Sequence, residues 1–207
     1  RAIYGEGKYL CQAHGDVYPT ERNESDLLSK DFEPKCPKCN AVLTLSATDE
    51  TAKIHPSSVY GITKQNQEQM ILNVCKSVGI PAVAFRYQNV YGPGQSLKNP
   101  YTGILSIFST QIRNGNNLNI FEDGLESRDF VYIDDVVDAT IAGMENSSAD
   151  YEVFNVGSGV ATTVLEVASQ LKAFYKSDIS ITVSGNFRLG DIRHNYADLT
   201  KIAEKLN

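Results

Sequence analysis

The chain has 207 residues, of which 42% are hydrophobic and 21% charged, as is typical of a globular domain with one sizeable core. Its net charge of −6 argues against nucleic-acid partners, and no apolar run is long enough to indicate a membrane protein. Four cysteines without a secretory signal favour free thiols or a metal site over disulfides, and we expect a cytoplasmic protein. Because the chain begins with Arg1 rather than methionine, we expect a piece of a longer protein.

Residues 1–9 are predicted to be the end of a buried strand that runs into a glycine-containing loop. Residues 10–54 are polar and poorly periodic, so we do not expect them to form a core of their own. They contain the pairs Cys11/His14 and Cys36/Cys39. Two such turns can present four ligands to one tetrahedral ion, so the spacing predicts a structural zinc site that supplies folding energy. Unpaired thiols and a loop histidine are the alternative.

From residue 56 onward the pattern predicts alternating helices and strands. The first helix covers residues 56–78, with Ser57 or Ser58 as its cap and Gly79 as its end. A helix followed closely by an apolar strand, here at residues 80–87, indicates an α/β fold with a parallel sheet. The remaining predicted elements are a helix at 101–113, strands at 118–121, 128–133, 152–156 and 179–183, a helix capped by Asp134 and Asp135, a helix from 162 or 163 to 175, and a last helix after 196–198.

Tyr60 and Lys64 lie four residues apart in the first predicted helix and therefore share one face of it. A nearby cation favours the phenolate, so such a tyrosine can act as a general acid or base near neutral pH. A chance pair on a surface helix is the alternative. Asn89 follows the next strand, at the sheet edge where ligands bind in open α/β folds, and its amide can donate to a phosphate or hydroxyl oxygen.

Five sequence blocks, in this order, resemble the extended short-chain dehydrogenase/reductases, and more narrowly the NAD-dependent nucleotide-sugar epimerases and dehydratases. The blocks are Pro56-x-Ser58-x-Tyr60-Gly61-x-Thr63-Lys64, Arg86-Tyr87-x-Asn89-Val90-Tyr91-Gly92-Pro93, Arg128-Asp129-Phe130-Val131-Tyr132-x-Asp134-Asp135-Val136, Asn155-Val156-Gly157-Ser158-Gly159 and Arg188-x-Gly190-Asp191. Within this family, the insertion at 10–54 and the stretches 1–7, 87–97 and 99–109 are similar to those of the dTDP-L-rhamnose 4-epimerases.

The resemblance implies the C-terminal part of a Rossmann-type parallel sheet, formed by residues 1–9 and 55–100, with a zinc-knuckle-like insertion at 10–54. Residues 101–207 would form mainly a small nucleotide-sugar-binding α/β subdomain, with segments that return to the sheet. The family's glycine-rich NAD fingerprint and its catalytic serine or threonine are expected upstream of Arg1, so this piece alone is expected to be inactive. The resemblance also implies a homodimer.

The family implies a 4-epimerase of a dTDP- or UDP-sugar, with a dTDP-6-deoxy-L-sugar as the expected substrate, in cell-surface polysaccharide biosynthesis. Tyr60 would act as the base at the sugar 4-hydroxyl while hydride passes between C4 and NAD, and Lys64 would also contact the nicotinamide ribose. Tyr87 would lie near the nicotinamide, with core packing as the alternative. The implied substrate contacts are Asn89, Arg128 and Arg188 at the diphosphate, Asp191 at the nucleotide ribose, and Asn119 and Phe121 at the base.

Two other interpretations of the function stay open. One is a related enzyme, such as a 4,6-dehydratase, a decarboxylase or a UDP-sugar 4-epimerase. The residues before Arg1 would separate them, with Ser-Ser or Ser-Thr expected in an epimerase and Thr-Asp-Glu in a dehydratase. The other is of a different class, a truncated fold that acts as a zinc-stabilised binding module.

Overall fold

The computed structural model describes residues 2–96 and 103–206, and these contain six α-helices and eleven β-strands. Arg1 and the first two residues of the helix predicted at 101–113 lie outside the described residues. The helices are α1 (Glu24–Leu28), α2 (Val59–Val78), α3 (Ile104–Arg113), α4 (Ile133–Glu145), α5 (Val164–Phe174) and α6 (Thr200–Leu206). The strands are β1 (Tyr9–Cys11), β2 (Gly15–Val17), β3 (Thr44–Leu45), β4 (Ala84–Tyr87), β5 (Asn89–Tyr91), β6 (Leu118–Ile120), β7 (Ser127–Arg128), β8 (Phe130–Tyr132), β9 (Val153–Val156), β10 (Thr162–Thr163) and β11 (Ile181–Val183).

Three strand pairs are parallel, namely β4 with β9, β5 with β8 and β6 with β11. Parallel neighbours need crossover connections, and the intervening helices belong to those connections. The mixed α/β architecture predicted from the sequence is therefore confirmed. The remaining pairings are antiparallel, in the sheet β2-β1-β3 and in the pair β7–β10.

Two apolar clusters hold these elements together. One packs α3 and α5 on β6, and its buried members include Phe108, Leu118 and Ala168. The other lies under α4, where Val131 and Val156 meet Val136. In the described part of the chain, no helix is long and apolar enough to cross a bilayer.

Local signals fix both ends of α2. The Ser58 hydroxyl accepts a hydrogen bond from the Gly61 N–H at 3.0 Å, which caps the first turn as predicted. Gly79 ends the helix in the left-handed conformation with φ +71°, also as predicted. The predicted capping of α5 is confirmed as well, because Thr163 and Glu166 form a reciprocal capping box.

Three local predictions are corrected. Asp134 and Asp135 do not cap α4; its cap residue is Tyr132, without a side-chain bond, and both carboxylates lie in the first helical turn. In that turn their negative charges still stabilise the helix, because they lie near the positive end of its dipole. The strand predicted at 80–87 begins only at Ala84, because Pro81 has no N–H to donate to a neighbouring strand. The strand end predicted at residues 1–9 is a 3-10 helix, Ala2–Tyr4, followed by β1.

The insertion at residues 10–54 does form a small core, contrary to the prediction. Its sheet buries Tyr9, Val17 and Leu43 around the sulfur atoms of Cys11 and Cys36. The strands of this sheet are only two or three residues long, too short to produce a visible alternation in the sequence.

Candidate functional site

Tyr60 and Lys64 lie on the first turns of α2 and face the same side. The Lys64 Nζ is 5.5 Å from the centroid of the Tyr60 ring, and it donates a hydrogen bond to Gln67 Oε1 at 3.0 Å. Tyr60 is 63% exposed, and Lys64 is exposed as well. The structure therefore brings the predicted base and its cation together with both groups accessible to a ligand.

Gly61, the residue after Tyr60, sets how closely α2 approaches the start of the chain. A Cβ at this position would lie 2.6 Å from the Ala2 carbonyl oxygen and 2.8 Å from Pro56 Cβ. Such distances require a shift of the backbone, so a side chain at position 61 would displace the turn that carries Tyr60. The family block that contains Tyr60 thus includes the residue that positions it.

Tyr87 and Asn89 lie at the end of β4 and the start of β5. The Tyr87 hydroxyl forms a 2.9 Å hydrogen bond with Thr140 Oγ1, and its ring stacks on Phe85 at 6.0 Å between centroids. Asn89 pairs in register with Phe130, and its N–H donates to the Asp129 carbonyl at 2.9 Å. Asn89 also lines a cavity of about 270 Å³. It thus lies next to the block that contains Arg128.

Arg128 is 9% exposed, and its guanidinium is directed at the segment that carries Asp191. It donates to the carbonyl oxygens of Ile192 at 2.7 Å and Arg193 at 3.0 Å, and its Nη2 lies 3.5 Å from Asp191 Oδ1. It also donates to the carbonyl of Ser127 at 2.8 Å. Two predicted substrate contacts, Arg128 and Asp191, are therefore adjacent, and Arg128 anchors the two residues that follow Asp191.

Arg188, Phe121 and Asn119 form a second group of predicted contacts. The Arg188 guanidinium carbon lies 5.1 Å from the centroid of the Phe121 ring. Asn119 is exposed in the middle of β6, between buried Leu118 and Ile120, and Phe121 directly follows that strand. An aromatic ring, an amide and a cation are the groups that a base with an attached phosphate requires.

A cavity of about 360 Å³ lies between the start of α2, the insertion and the segment around Asp191. Its size is within the range of small-molecule sites. Its lining residues are Gly5, Glu6, Pro19, Thr20, Glu21, His55, Pro56, Ser57, Gly190 and Ile192. The cavity therefore extends from Ser57, three residues before Tyr60, to the two residues that flank Asp191.

Glu6 is a buried carboxyl in the wall of this cavity, with 5% exposure. Burial raises the pKa of Glu6 to about 7, although the Arg193 N–H donates to its Oε2 at 2.9 Å and opposes the shift. The Arg22 Nε lies 3.8 Å from the other oxygen, Oε1. Sequence reasoning missed Glu6, because a single glutamate between two glycines carries no pattern.

A buried charge network fastens the insertion to the rest of the chain. Arg193 is fully buried and donates to Glu33 Oε1 at 2.6 Å, Glu122 Oε2 at 2.9 Å and Asp123 Oδ1 at 2.7 Å. Arg22 donates to the same Glu122 oxygen at 2.8 Å. Since a buried charge is costly without partners, removal of one member would leave the others uncompensated.

Asp129 is a further residue whose role sequence reasoning missed. Its carboxylate is 1% exposed and accepts hydrogen bonds from the N–H groups of Ser158, Gly159 and Ala197. A Cβ at Gly157 would lie 2.4 Å from Asp129 Oδ2, so glycine is required there. Asp129 therefore joins two family blocks that are about thirty residues apart.

The four predicted metal ligands form one cluster. One ligand atom from each of Cys11, His14, Cys36 and Cys39 lies within 4.8 Å of the other three. The Cys11 Sγ is 3.4 Å from His14 Nδ1 and 3.7 Å from Cys39 Sγ, and Cys36 Sγ is 3.6 Å from His14 Nδ1. Burial opposes ionisation of Cys36, but the N–H groups of Lys38 and Cys39, together with hydrogen bonds from the neighbouring thiols, lower the pKa of its thiol to about 6. The other cysteine, Cys75, lies in α2, outside this cluster.

Comparison with known proteins places these features in a family. The sequence profile of the NAD dependent epimerase/dehydratase family matches residues 37–157. A dTDP-L-rhamnose 4-epimerase from Burkholderia thailandensis is 37% identical over 201 residues, which are 97% of this chain and 54% of that protein.

Two solved structures illustrate the likeness of the fold. The UDP-glucose 4-epimerase of Thermotoga maritima, in complex with UDP-glucose, superimposes with a TM-score of 0.73 at 38% identity, covering 79% of this chain and 52% of that chain. The UDP-glucuronic acid 4-epimerase of Bacillus cereus, in complex with UDP-glucuronic acid and NAD, gives a TM-score of 0.70 at 29% identity, with coverages of 79% and 51%. This chain thus spans about half the length of these relatives. It belongs to the NAD dependent epimerase/dehydratase family, as its five sequence blocks imply.

Proposed function

We propose that this chain supplies the general base and the substrate contacts of an NAD-dependent nucleotide-sugar 4-epimerase. The observation that carries the proposal is the Tyr60–Lys64 pair, with the Lys64 Nζ 5.5 Å from the centroid of the Tyr60 ring. A phenol next to an ammonium group is suited to exchange a proton with a sugar hydroxyl. Because both side chains are exposed, a sugar and a nicotinamide ribose have access to them at the same time.

In the proposed mechanism, the Tyr60 phenolate removes the proton of the sugar 4-hydroxyl and later returns a proton to the oxygen at C4. Lys64 stabilises the phenolate by its charge and holds the nicotinamide ribose, with Tyr87 nearby. When bound, NAD supplies reversible hydride exchange with C4. Arg188 and Asn89 hold the diphosphate, and this grip must persist while the 4-keto sugar turns to present its other face.

The remaining predicted contacts bind the nucleotide. Asp191 accepts from the ribose hydroxyls, and Asn119 and Phe121 contact the base. Arg128 adds positive charge near the diphosphate and holds the backbone of residues 192 and 193 through its bonds to their carbonyl oxygens. The proposed nucleotide site is thus assembled from β6, β7 and the segment before α6.

We assign a dTDP-6-deoxy-L-sugar as the preferred substrate. The support is the match to the Burkholderia protein, which extends over 97% of this chain. The test is to incubate the full-length protein and NAD with dTDP-, UDP- and GDP-sugars and to resolve the 4-epimers by NMR. Conversion of dTDP-L-rhamnose to its 4-epimer is expected. Conversion of UDP-sugars alone would overturn the substrate assignment, and release of a 4-keto-6-deoxy sugar would favour a dehydratase.

We also propose that Cys11, His14, Cys36 and Cys39 hold a structural zinc ion. Ligands at the usual zinc distances on a tetrahedron lie about 3.8 Å apart for two sulfurs and about 3.5 Å apart for sulfur and nitrogen. The separations of 3.7 Å for the Cys11–Cys39 pair and of 3.4 and 3.6 Å from sulfur to His14 Nδ1 agree with these values. Four protein ligands leave no open position, so the ion would stabilise the insertion rather than take part in catalysis.

A further inference from the structure

The insertion forms one wall of the cavity of about 360 Å³ at the start of α2. Pro19, Thr20 and Glu21 line this wall, while Glu6 and Ile192 line other sides. The cavity also reaches Ser57, three residues before Tyr60. A segment outside the five family blocks thus lines the same cavity as Ser57, at the start of the block that contains the proposed base.

This wall is held in place on both sides. On one side, the ring of Tyr18 packs edge-on against His55, with centroids 6.1 Å apart. On the other, Arg22 donates to Glu122 Oε2 and to the Asp191 carbonyl oxygen, each at 2.8 Å. Because residues 19–21 lie between these two anchors, they form a preorganised surface rather than a free loop.

The exposed charge of the cavity lining comes from Glu21. Among the described residues that line the cavity, the acidic side chains are Glu6 and Glu21, and there is no lysine or arginine. Arg22 is close to Glu6, but its side chain is only 4% exposed and its donors are directed at Glu122, Phe32 and Asp191. An anionic group in this cavity would therefore meet the exposed carboxylate of Glu21, and the described lining residues offer no lysine or arginine to pair with it.

We propose that this cavity binds the uncharged hexosyl end of the sugar nucleotide and that the insertion wall, through Glu21, excludes uronic acids. The inference rests on the proposed epimerase function and assigns the sugar class of the same site. A neutral sugar has hydroxyl groups that can donate to the Glu6 carboxyl and to Thr20, and a C6 methyl can pack on Pro19 and Ile192. A C6 carboxylate would instead be repelled by Glu21.

The test compares a hexose and its uronic acid on the same nucleotide, so that the substrates differ only at C6. In the full-length enzyme, Glu21→Lys is expected to raise the ratio of kcat/KM for the uronate to that for the hexose by about tenfold. Glu24→Lys makes the same charge change in the same insertion, outside the cavity lining, and is expected to leave the ratio unchanged. Glu21→Gln gives a smaller increase in the same direction and serves if the lysine variant does not fold.

Dissociation constants for the two sugars, measured by calorimetry in a Tyr60→Phe background, give the same comparison without turnover. If neither Glu21 variant changes the preference for the hexose over the uronate, the inference is overturned. An equal change in the constants for both sugars counts as this outcome, and it leaves the epimerase proposal intact. If the wild-type enzyme epimerises neither sugar and binds neither, the proposed function itself fails. These results are distinct, so the two proposals are tested separately.

Discussion

The Arg188 guanidinium carbon lies 5.1 Å from the centroid of the Phe121 ring, so two side chains that are proposed to hold different parts of one ligand stack on each other. At an exposed site such a contact contributes about 0.5–1 kcal/mol. A nucleotide base that stacks on Phe121 must either extend this stack or displace the arginine toward the diphosphate. Either way, the contributions of the two residues to binding are coupled.

A double-mutant cycle measures this coupling. Arg188→Ala is expected to weaken dTDP-sugar binding about tenfold, because a charge-assisted bond to phosphate is lost. Phe121→Ala should also weaken it, and the double variant should lose less affinity than the product of the single effects. Calorimetry with full-length protein provides the constants. Exposed Arg113 in α3 is the matched control, and an Arg188→Ala protein with the affinity of the Arg113→Ala protein would remove Arg188 from the site.

Replacement of Tyr60 by phenylalanine separates catalysis from binding. It removes only the hydroxyl, so kcat is expected to fall by about 10²–10⁴-fold, the usual contribution of a general base. The dissociation constant for the sugar nucleotide should stay nearly unchanged, since the diphosphate contacts remain. Tyr175→Phe, a change of the same chemistry after α5, should leave kcat intact. Activity retained by the Tyr60→Phe enzyme would exclude Tyr60 as the base.

The metal proposal predicts a difference between two cysteines. Cys36→Ser should abolish bound zinc, measured by elemental analysis, and lower the melting temperature, because the insertion loses a ligand that closes its fold. Cys75→Ser changes a cysteine of α2 outside the cluster and should retain the metal. Absence of zinc from the wild-type protein, together with wild-type stability in the Cys36→Ser protein, would contradict the proposal.

The buried carboxyl of Glu126 makes stability depend on pH. Burial raises the pKa of Glu126 from 4.5 to about 7, and the charge of Glu122 adds to the shift. The folded state therefore holds this proton more tightly than the unfolded state, so its contribution is complete below pH 4.5 and is lost as pH rises through about 7. Between these two pH values, the free energy of unfolding decreases by about 1–3 kcal/mol.

Glu126→Gln should remove this dependence. Its Oε2 has no hydrogen-bond partner among the described residues, so an amide is expected to be tolerated there. Urea unfolding at pH 5 and pH 8 should show a smaller decrease in stability for the variant than for wild type. The exposed Glu145→Gln protein should behave like wild type. An identical decrease in the Glu126 variant would show that this carboxyl does not titrate in that range.

A substitution of Arg128 can separate its two proposed roles, which are to anchor the backbone and to bind the diphosphate. Its guanidinium bonds to three backbone carbonyls, which a lysine cannot reproduce in the same fork geometry. Arg128→Lys should therefore destabilise the ligand-free protein by about 2–3 kcal/mol, in addition to weakening nucleotide-sugar binding. If binding alone is weakened and the stability of the ligand-free protein is unchanged, Arg128 has no anchoring role.

Features with local causes could be predicted from the sequence. The cap at Ser58, the end of α2 at Gly79 and the capping box at Thr163 depend on neighbouring residues, and the structure confirms them. The helix-then-strand order likewise indicated parallel pairing, which is present in three strand pairs. The Cys/His spacing also predicted a cluster that the fold does bring together.

Features that depend on distant residues could not be predicted. The bond from the Arg193 N–H to Glu6 joins positions 187 residues apart, and the Arg193–Glu33 pair joins positions 160 residues apart. No local pattern encodes such partners, so the cavity wall and the charge network emerged only from the fold. The strand end predicted at the start of the chain is instead the 3-10 helix Ala2–Tyr4, whereas the predicted glycine-containing loop is present, with φ angles of +57° at Gly5 and +85° at Gly7.

Because β1 and β3 are antiparallel neighbours, with Tyr9 opposite Leu45, the insertion leaves and rejoins the body of the protein at adjacent points. A segment whose two ends are adjacent can be exchanged as one unit when its contacts with the rest of the chain are kept. The insertion contacts the rest of the chain at several points: Arg22 and Glu33 meet Glu122 and Arg193, and Asn155 donates to the Glu50 carboxylate and to the Thr48 carbonyl oxygen. A chimera that carries this cassette with its two anchoring side chains is thus a direct route to exchange sugar preference between members of the family.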